Sequence, residues 1–151
     1  MKYLQLAILI LFTQNMIMAQ DIDSLKMNEY WKDKLTKDEY HVAREKGTEM
    51  PFTGQYWNFF EKGSYTCVCC GTKLFESDSK FQSSCGWPSF FDSKYMDNIL
   101  FQQDNSHGMA RTEVLCKKCG AHLGHIFDDG PKPTGKRFCI NSVSIKFIPL
   151  K

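Results

Sequence analysis

Cys67-Val68-Cys69-Cys70-Gly71 and Cys116-Lys117-Lys118-Cys119-Gly120 are the two stretches whose reading decides the fold. Each carries Cys-x-x-Cys followed by glycine. Thiolates at that spacing are turned inward by a tight knuckle, and its last residue needs a backbone conformation that glycine adopts without steric cost. Two knuckles make one tetrahedral site. Cys67, Cys70, Cys116 and Cys119 are therefore expected to hold one zinc ion (Zn2+), and four thiolates leave no open position for water or substrate, so that ion would be structural. Two disulfides are the competing use of the same residues, favoured by an exported compartment. Cys69 is a bystander, because only Cys67 with Cys70 mirrors the second knuckle.

Outward from the knuckles, residues 64–68, 73–75, 99–103 and 111–115 form short segments separated by Gly, Pro, Asp and Ser clusters, which read as strands and turns. Residues 142–147 alternate polar and apolar with period two, as a half-buried strand does. Upstream, Thr36-Lys37-Asp38-Glu39 reads as a capping box that opens a short helix running to about Lys46 and stopped by Gly47. Pro51 and Gly54 forbid its continuation. The body is mainly β, with two hairpins clasped by a metal.

The chain of 151 residues suits one domain with a real core. Lys and Arg exceed Asp and Glu by only 19 to 17, without a basic run, so the electrostatic footprint of a nucleic-acid binder is missing. Residues 1–19 have the plan of a secretory signal peptide: Lys2, an apolar run from Leu4 to Phe12, and a tail ending at Ala19. A retained membrane anchor is the lesser alternative, since Thr13, Gln14 and Asn15 interrupt the run. Residues 20–32 read as a polar tether and 33–151 as the working domain, exported to a periplasm or secreted.

Two further cysteines lie outside the knuckles. Cys139 sits in Arg137-Phe138-Cys139-Ile140-Asn141-Ser142, between an arginine and an asparagine, and reads as a working thiol, since a cationic neighbour favours the thiolate. Cys85 lies in a turn, Ser84-Cys85-Gly86-Trp87-Pro88, where a buried apolar cysteine is the plain alternative. His122-Leu123-Gly124-His125 is not a zinc-protease helix, because the spacing is wrong and Gly124 opposes a helix.

Four motifs, Cys85-Gly86-Trp87-Pro88-Ser89-Phe90, Gly108-Met109-Ala110-Arg111-Thr112-Glu113-Val114, His122-Leu123-Gly124-His125-Ile126-Phe127-Asp128-Asp129-Gly130-Pro131 and the Cys139 stretch, resemble those of the MsrB family, the peptide-methionine (R)-S-oxide reductases. They occur in the family's order and cover residues 35–147 with both knuckles in place. The resemblance implies two packed antiparallel β-sheets, a β-tent, with short N-terminal helices and a structural zinc site. It implies reduction of methionine (R)-sulfoxide in proteins or peptides by a monomer.

In that chemistry Cys139 attacks the sulfur and becomes a sulfenic acid, Cys85 resolves it as a disulfide, and thioredoxin or a thioredoxin-like donor recycles the enzyme. His125 is the expected proton donor, because oxide leaves only when protonated. His122 and Asn141 would hold the sulfoxide oxygen or a water, and Asp129 would orient or charge a histidine. Trp87 offers an apolar wall for the methyl group. Arg137 would lower the Cys139 thiol, and Phe138 would complete the substrate site. Ser84, Phe138 and Lys136 depart from the family's usual glycine, tyrosine and apolar residue. The competing readings are an exported zinc-ribbon-like binding module without catalysis, and a thiol-disulfide oxidoreductase that ignores sulfoxides.

Overall fold

The structure, a computed structural model, describes residues 28–150. The expected signal peptide and residues 20–27 of the tether lie outside the described residues. Residues 28–32, expected as tether, are helical. The compact body begins at Leu35.

Its first element is the helix Lys37–Glu45, opened by the expected capping box: Glu39 N–H donates to Thr36 Oγ1 and Thr36 N–H to Glu39 Oε2. The helix ends two residues before Gly47, at Glu45. Lys46 takes the left-handed cap with φ of 58°, and a Cβ on Gly47 would collide with the His41 ring, so Gly47 gives room beside the helix end.

Two antiparallel sheets follow. The first has three strands in the order β2-β1-β9, from β1 (Gly63–Cys67), β2 (Lys73–Glu76) and β9 (Ile145–Pro149). The second has six, in the order β3-β4-β8-β7-β6-β5, from β3 (Lys80–Phe81), β4 (Ser89–Phe90), β5 (Ile99–Asp104), β6 (Arg111–Cys116), β7 (His122–Phe127) and β8 (Arg137–Ile140). This is the expected mainly β, two-sheet architecture. Tyr65, Leu74 and Phe75 of the first sheet pack in one core with Phe90, Val114, Phe138 and Ile140 of the second. Phe75 stacks on Phe90 with ring centroids 4.4 Å apart.

The strand expected over residues 142–147 begins later. Ser142–Ser144 form a 3₁₀ turn, and only Ile145 starts β9. The period-two pattern is broken by a distant acid: the Glu49 carboxylate accepts from Ser142 N–H at 2.6 Å and Val143 N–H at 3.1 Å, capping the turn.

Lys80 is the anomaly of the core edge. It is 7 % exposed, its Nζ has no hydrogen-bond partner among the described residues, and it lies 4.0 Å above the Phe60 ring. Burial pushes its amine down to about 8. A charge buried without a partner destabilises the folded state, so Lys80→Met should raise stability by roughly 1 kcal/mol. The folded amine titrates below its ordinary 10.5, so the penalty is full below pH 8 and fades as pH rises towards 10.5. Thermal melts should therefore show a gain at pH 7 that shrinks at pH 9.5. A lower melting temperature at pH 7 would mean that the cation–π contact outweighs desolvation.

Candidate active site and metal centre

The metal centre joins the sheets. Cys67 and Cys70 flank the turn after β1, Cys116 and Cys119 the turn between β6 and β7. Each knuckle closes the same way, with Gly71 N–H donating to Cys67 O and Gly120 N–H to Cys116 O, and both glycines have φ near 70°. The four sulfurs all lie within 4.8 Å of one another, with Cys67–Cys119 at 3.7 Å and Cys70–Cys116 at 3.6 Å. A tetrahedron with metal–sulfur bonds of about 2.3 Å has edges of ~3.8 Å, so the residues fit a metal ion. A disulfide needs sulfurs about 2.05 Å apart, far closer than these pairs stand.

The thiol pair sits on the second sheet. Along β8, Phe138 and Ile140 turn into the core while Arg137 and Cys139 face the other way. In register, Cys139 lies between Ser89 of β4 and His125 of β7, and His125 opposes Glu113 of β6, so one row carries the reactive face. Gly124 makes this row tight. A Cβ there would collide with the Cys139 carbonyl oxygen. Cys85 arrives on the turn between β3 and β4 with its sulfur 3.7 Å from that of Cys139. Gly86, at φ of 87°, shapes that turn, and its carbonyl accepts from Phe52 N–H at 2.8 Å, tying it to the loop after the helix.

A cleft of about 110 Å³ opens over Cys139, lined by Thr48, Trp87, Arg111, Gly124, His125, Phe127 and Asn141. Trp87 is fixed by its indole N–H, which donates to Glu49 O at 3.1 Å. His125 Nε2 meets Asp104 Oδ2 at 2.7 Å, and the same oxygen accepts from Arg111 Nη2 at 2.7 Å. Hydrogen bonds from Ser106 and His125 hold the Asp104 carboxyl far below the usual carboxylate range.

Several expected residues sit otherwise. Asp129 reaches neither histidine: it forms a two-pronged ion pair with Arg137, both contacts at 2.8 Å, while Arg137 also covers the Phe127 ring. Phe138, 1 % exposed, belongs to the core and not to the cleft, because strand alternation turns it away from Cys139. His122 does not line the cleft over Cys139; it is buried, with Nδ1 2.6 Å from Glu113 Oε1. Burial lowers its basicity more than Glu113 restores it. A bulge explains its direction: Val114 pairs with Gly124 but Leu115 with His122, so one extra residue of β7 turns His122 onto the face of His125, ring centroids 5.5 Å apart. Asn141 does line the cleft, held in place by one Nδ2–H donated to Leu123 O and by Oδ1 accepting from Glu49 N–H, with its second Nδ2–H left over.

The hydrogen bond between the two thiols moves them in opposite directions. The hydrogen bond with Cys85, then burial, push the Cys139 thiol up, and Arg137 pulls it down without prevailing. Cys85 is held low, to about 4, by the hydrogen bond from Cys139 and then by those of Ser83 and Ser89. Arg137 thus acts in the expected direction, but the hydrogen bond with Cys85 and burial outweigh it.

Asp104, Arg111, Glu113 and Glu49 were not singled out from the sequence. Arg111 and Glu113 stand inside one of the quoted motifs, the only signal that marked them; nothing local marked Glu49 or Asp104.

Comparison with known proteins agrees with this geometry. The SelR domain model matches residues 35–149. The chain is 56% identical over 124 residues to the peptide methionine sulfoxide reductase MsrB of Cellvibrio japonicus, covering 82% of this chain and 89% of that one. It is 56% identical over 122 residues to the protein of that name from Methanosarcina mazei, covering 81% and 87%. The one from Agrobacterium fabrum is 50% identical over 133 residues, covering 86% and 98%. A cysteine pair under a cleft, a four-cysteine metal centre and these matches lead to one conclusion: the chain belongs to the MsrB family.

Proposed function

We propose that this protein reduces methionine (R)-sulfoxide in peptides and proteins, with Cys139 as nucleophile and Cys85 as resolving thiol. The observation that carries the reading is the Cys139–Cys85 pair at 3.7 Å beneath a cleft lined by both Trp87 and His125. The cleft suits a methylsulfinyl group, apolar against the indole and polar against the imidazole.

The steps balance as follows. The Cys139 proton passes to Cys85, leaving a Cys139 thiolate beside Arg137. That thiolate attacks the sulfoxide sulfur while an acid delivers a proton to the oxygen; the hydroxyl then passes from the substrate sulfur to the Cys139 sulfur as the new sulfur–sulfur bond breaks, so methionine leaves and Cys139 carries S–OH. Asp104 accepts from His125 Nε2–H, which leaves Nδ1 free to exchange that proton. Cys85 then attacks the Cys139 sulfur, releasing water and forming the disulfide. A thioredoxin-like dithiol returns the pair to two thiols and is itself oxidised.

The ion assigned to the four cysteines is zinc, from the thiolate set and its closed tetrahedral shape. It takes no part in the chemistry. Export is proposed on residues 1–19 of the sequence alone.

Separated R and S epimers of a blocked methionine sulfoxide test the reading, with dithiothreitol as reductant. The R epimer alone should be consumed. With thioredoxin as sole reductant, Cys85→Ser should release about one methionine per chain and then stall, since the sulfenic acid lacks its resolving thiol. Consumption of neither epimer by folded, metal-bound protein would sink the assignment, and undiminished thioredoxin-driven turnover of Cys85→Ser would move the resolving role elsewhere.

A further inference from the structure

Trp87 and Asn141 reach the cleft over Cys139 from different parts of the chain, the first from the segment between β3 and β4, the second from the end of β8. Strand pairing fixes neither the tilt of an indole nor the turn of an amide. Both side chains are held at one residue instead. The Trp87 indole N–H donates to Glu49 O at 3.1 Å, and Asn141 Oδ1 accepts from Glu49 N–H at 3.1 Å. The peptide groups on either side of a single Cα thus orient two side chains that line the cleft.

The backbone of Glu49 must itself be held for this to work, and it lies in the loop between the helix Lys37–Glu45 and β1, outside every strand ladder. Its own carboxylate supplies the anchor. Oε1 accepts from Ser142 N–H at 2.6 Å and Oε2 from Val143 N–H at 3.1 Å, and bonds of this charge-assisted kind are the stronger ones. The loop closes tightly around the half-buried side chain, since a Cβ added at Gly54 would stand 2.6 Å from Oε1. Three residues on, Phe52 N–H reaches Gly86 O at 2.8 Å, beside Cys85. The loop therefore bridges the segment that carries Cys85 and Trp87 and the one that carries Cys139 and Asn141, and the Glu49 carboxylate pins it to the second.

We propose that Glu49 is a positioning residue for substrate: its carboxylate, bound to the turn after Cys139, sets its peptide groups where they fix Trp87 and Asn141, and so sets the shape of the site that receives the methylsulfinyl group. This rests on the reductase reading above. Trp87 supplies the apolar contact for the methyl group, and Asn141 keeps one Nδ2–H beyond its bond to Leu123. The thiol pair does not depend on Glu49 in the same way, because Cys139 is placed by its register with Ser89 and His125. Loss of the carboxylate should therefore weaken binding more than it slows the chemistry.

Glu49→Ala and Glu49→Gln test this in the full chain with metal bound. Single turnovers of the reduced protein with the R epimer of a blocked methionine sulfoxide give a limiting rate and a half-saturating concentration. In Glu49→Ala the half-saturating concentration should rise about 10-fold while the limiting rate falls by less than about threefold, the pattern of lost ground-state binding. Glu49→Gln keeps the volume and one acceptor oxygen, and should fall between Glu49→Ala and wild type. The Trp87 indole proton, followed by NMR, should exchange with solvent about 10-fold faster in Glu49→Ala, as expected when one hydrogen bond is weakened. An unchanged half-saturating concentration in Glu49→Ala overturns the proposal, and so does a lower melting temperature with a loss confined to the limiting rate, which would give Glu49 a role in the fold alone. If Glu49→Ala does not fold, Glu49→Gln carries the same comparison against wild type. Failure of wild-type protein to reduce the R epimer would refute the reductase reading instead, and the indole exchange separates the two, because it reports the hold on Trp87 without any turnover.

Discussion

Cys139→Ser should abolish sulfoxide reduction with either dithiothreitol or thioredoxin while leaving the fold and the metal in place. The exchange is nearly isosteric, and the residue's neighbours on β8, Phe138 and Ile140, keep their places in the core. What disappears is a polarisable sulfur that can bond to another sulfur and accept its oxygen; a serine hydroxyl has neither the acidity nor the affinity for sulfur. Loss of a nucleophile of this kind lowers turnover on the order of 10⁶-fold, which here means below detection. The control is unchanged circular dichroism and metal content. Turnover by the folded variant at an appreciable fraction of the wild-type rate would remove Cys139 from the mechanism.

That the sequence pointed to Cys139 so readily, and to its surroundings so poorly, has a physical cause. The knuckles and the capping box are local: their residues meet within a few positions, so spacing alone carries their geometry. The sheet-borne site is not local. His125 meets Asp104 across 21 positions, and Ser142 meets Glu49 across 93, so these contacts exist only once strand register is set. A single bulge in β7 reverses the direction of His122, which no alternation rule foresees. Asp129 stands close to the histidines in sequence, but in space Arg137 claims it. Phe138 adjoins Cys139 in the chain, but the strand's period of two sends adjacent residues to opposite faces. Even the charge on the thiols follows this pattern. Arg137 is near in sequence and was weighed, whereas the stronger influence on Cys139 is Cys85, 54 positions away.

Removing the metal should unfold the body outright. Stripping the ion with a strong chelator at neutral pH, or replacing Cys116 by serine, is expected to abolish the cooperative thermal transition, and re-adding zinc should restore it to the wild-type chain but not to the variant. A structural zinc on four thiolates contributes about 10–16 kcal/mol of apparent binding energy, against a total stability of roughly 5–15 kcal/mol for a domain of ordinary size. The site has no substitute among the described residues. Cys67 ends a strand of the three-stranded sheet and Cys116 a strand of the six-stranded one, so an ion held there would clasp the two layers whose inner faces make the core. Without it, thiolates crowded within 4.8 Å would repel or oxidise. The consequence reaches the cleft along the chain. Ala121 and His122 follow the second knuckle directly and begin β7, which carries Gly124 and His125 to Cys139. Activity and the melting transition should therefore be lost together at one chelator concentration. If a metal-free chain kept its transition and lost only turnover, the ion would have to act on the chemistry, and the closed four-sulfur site gives it no position from which to do so.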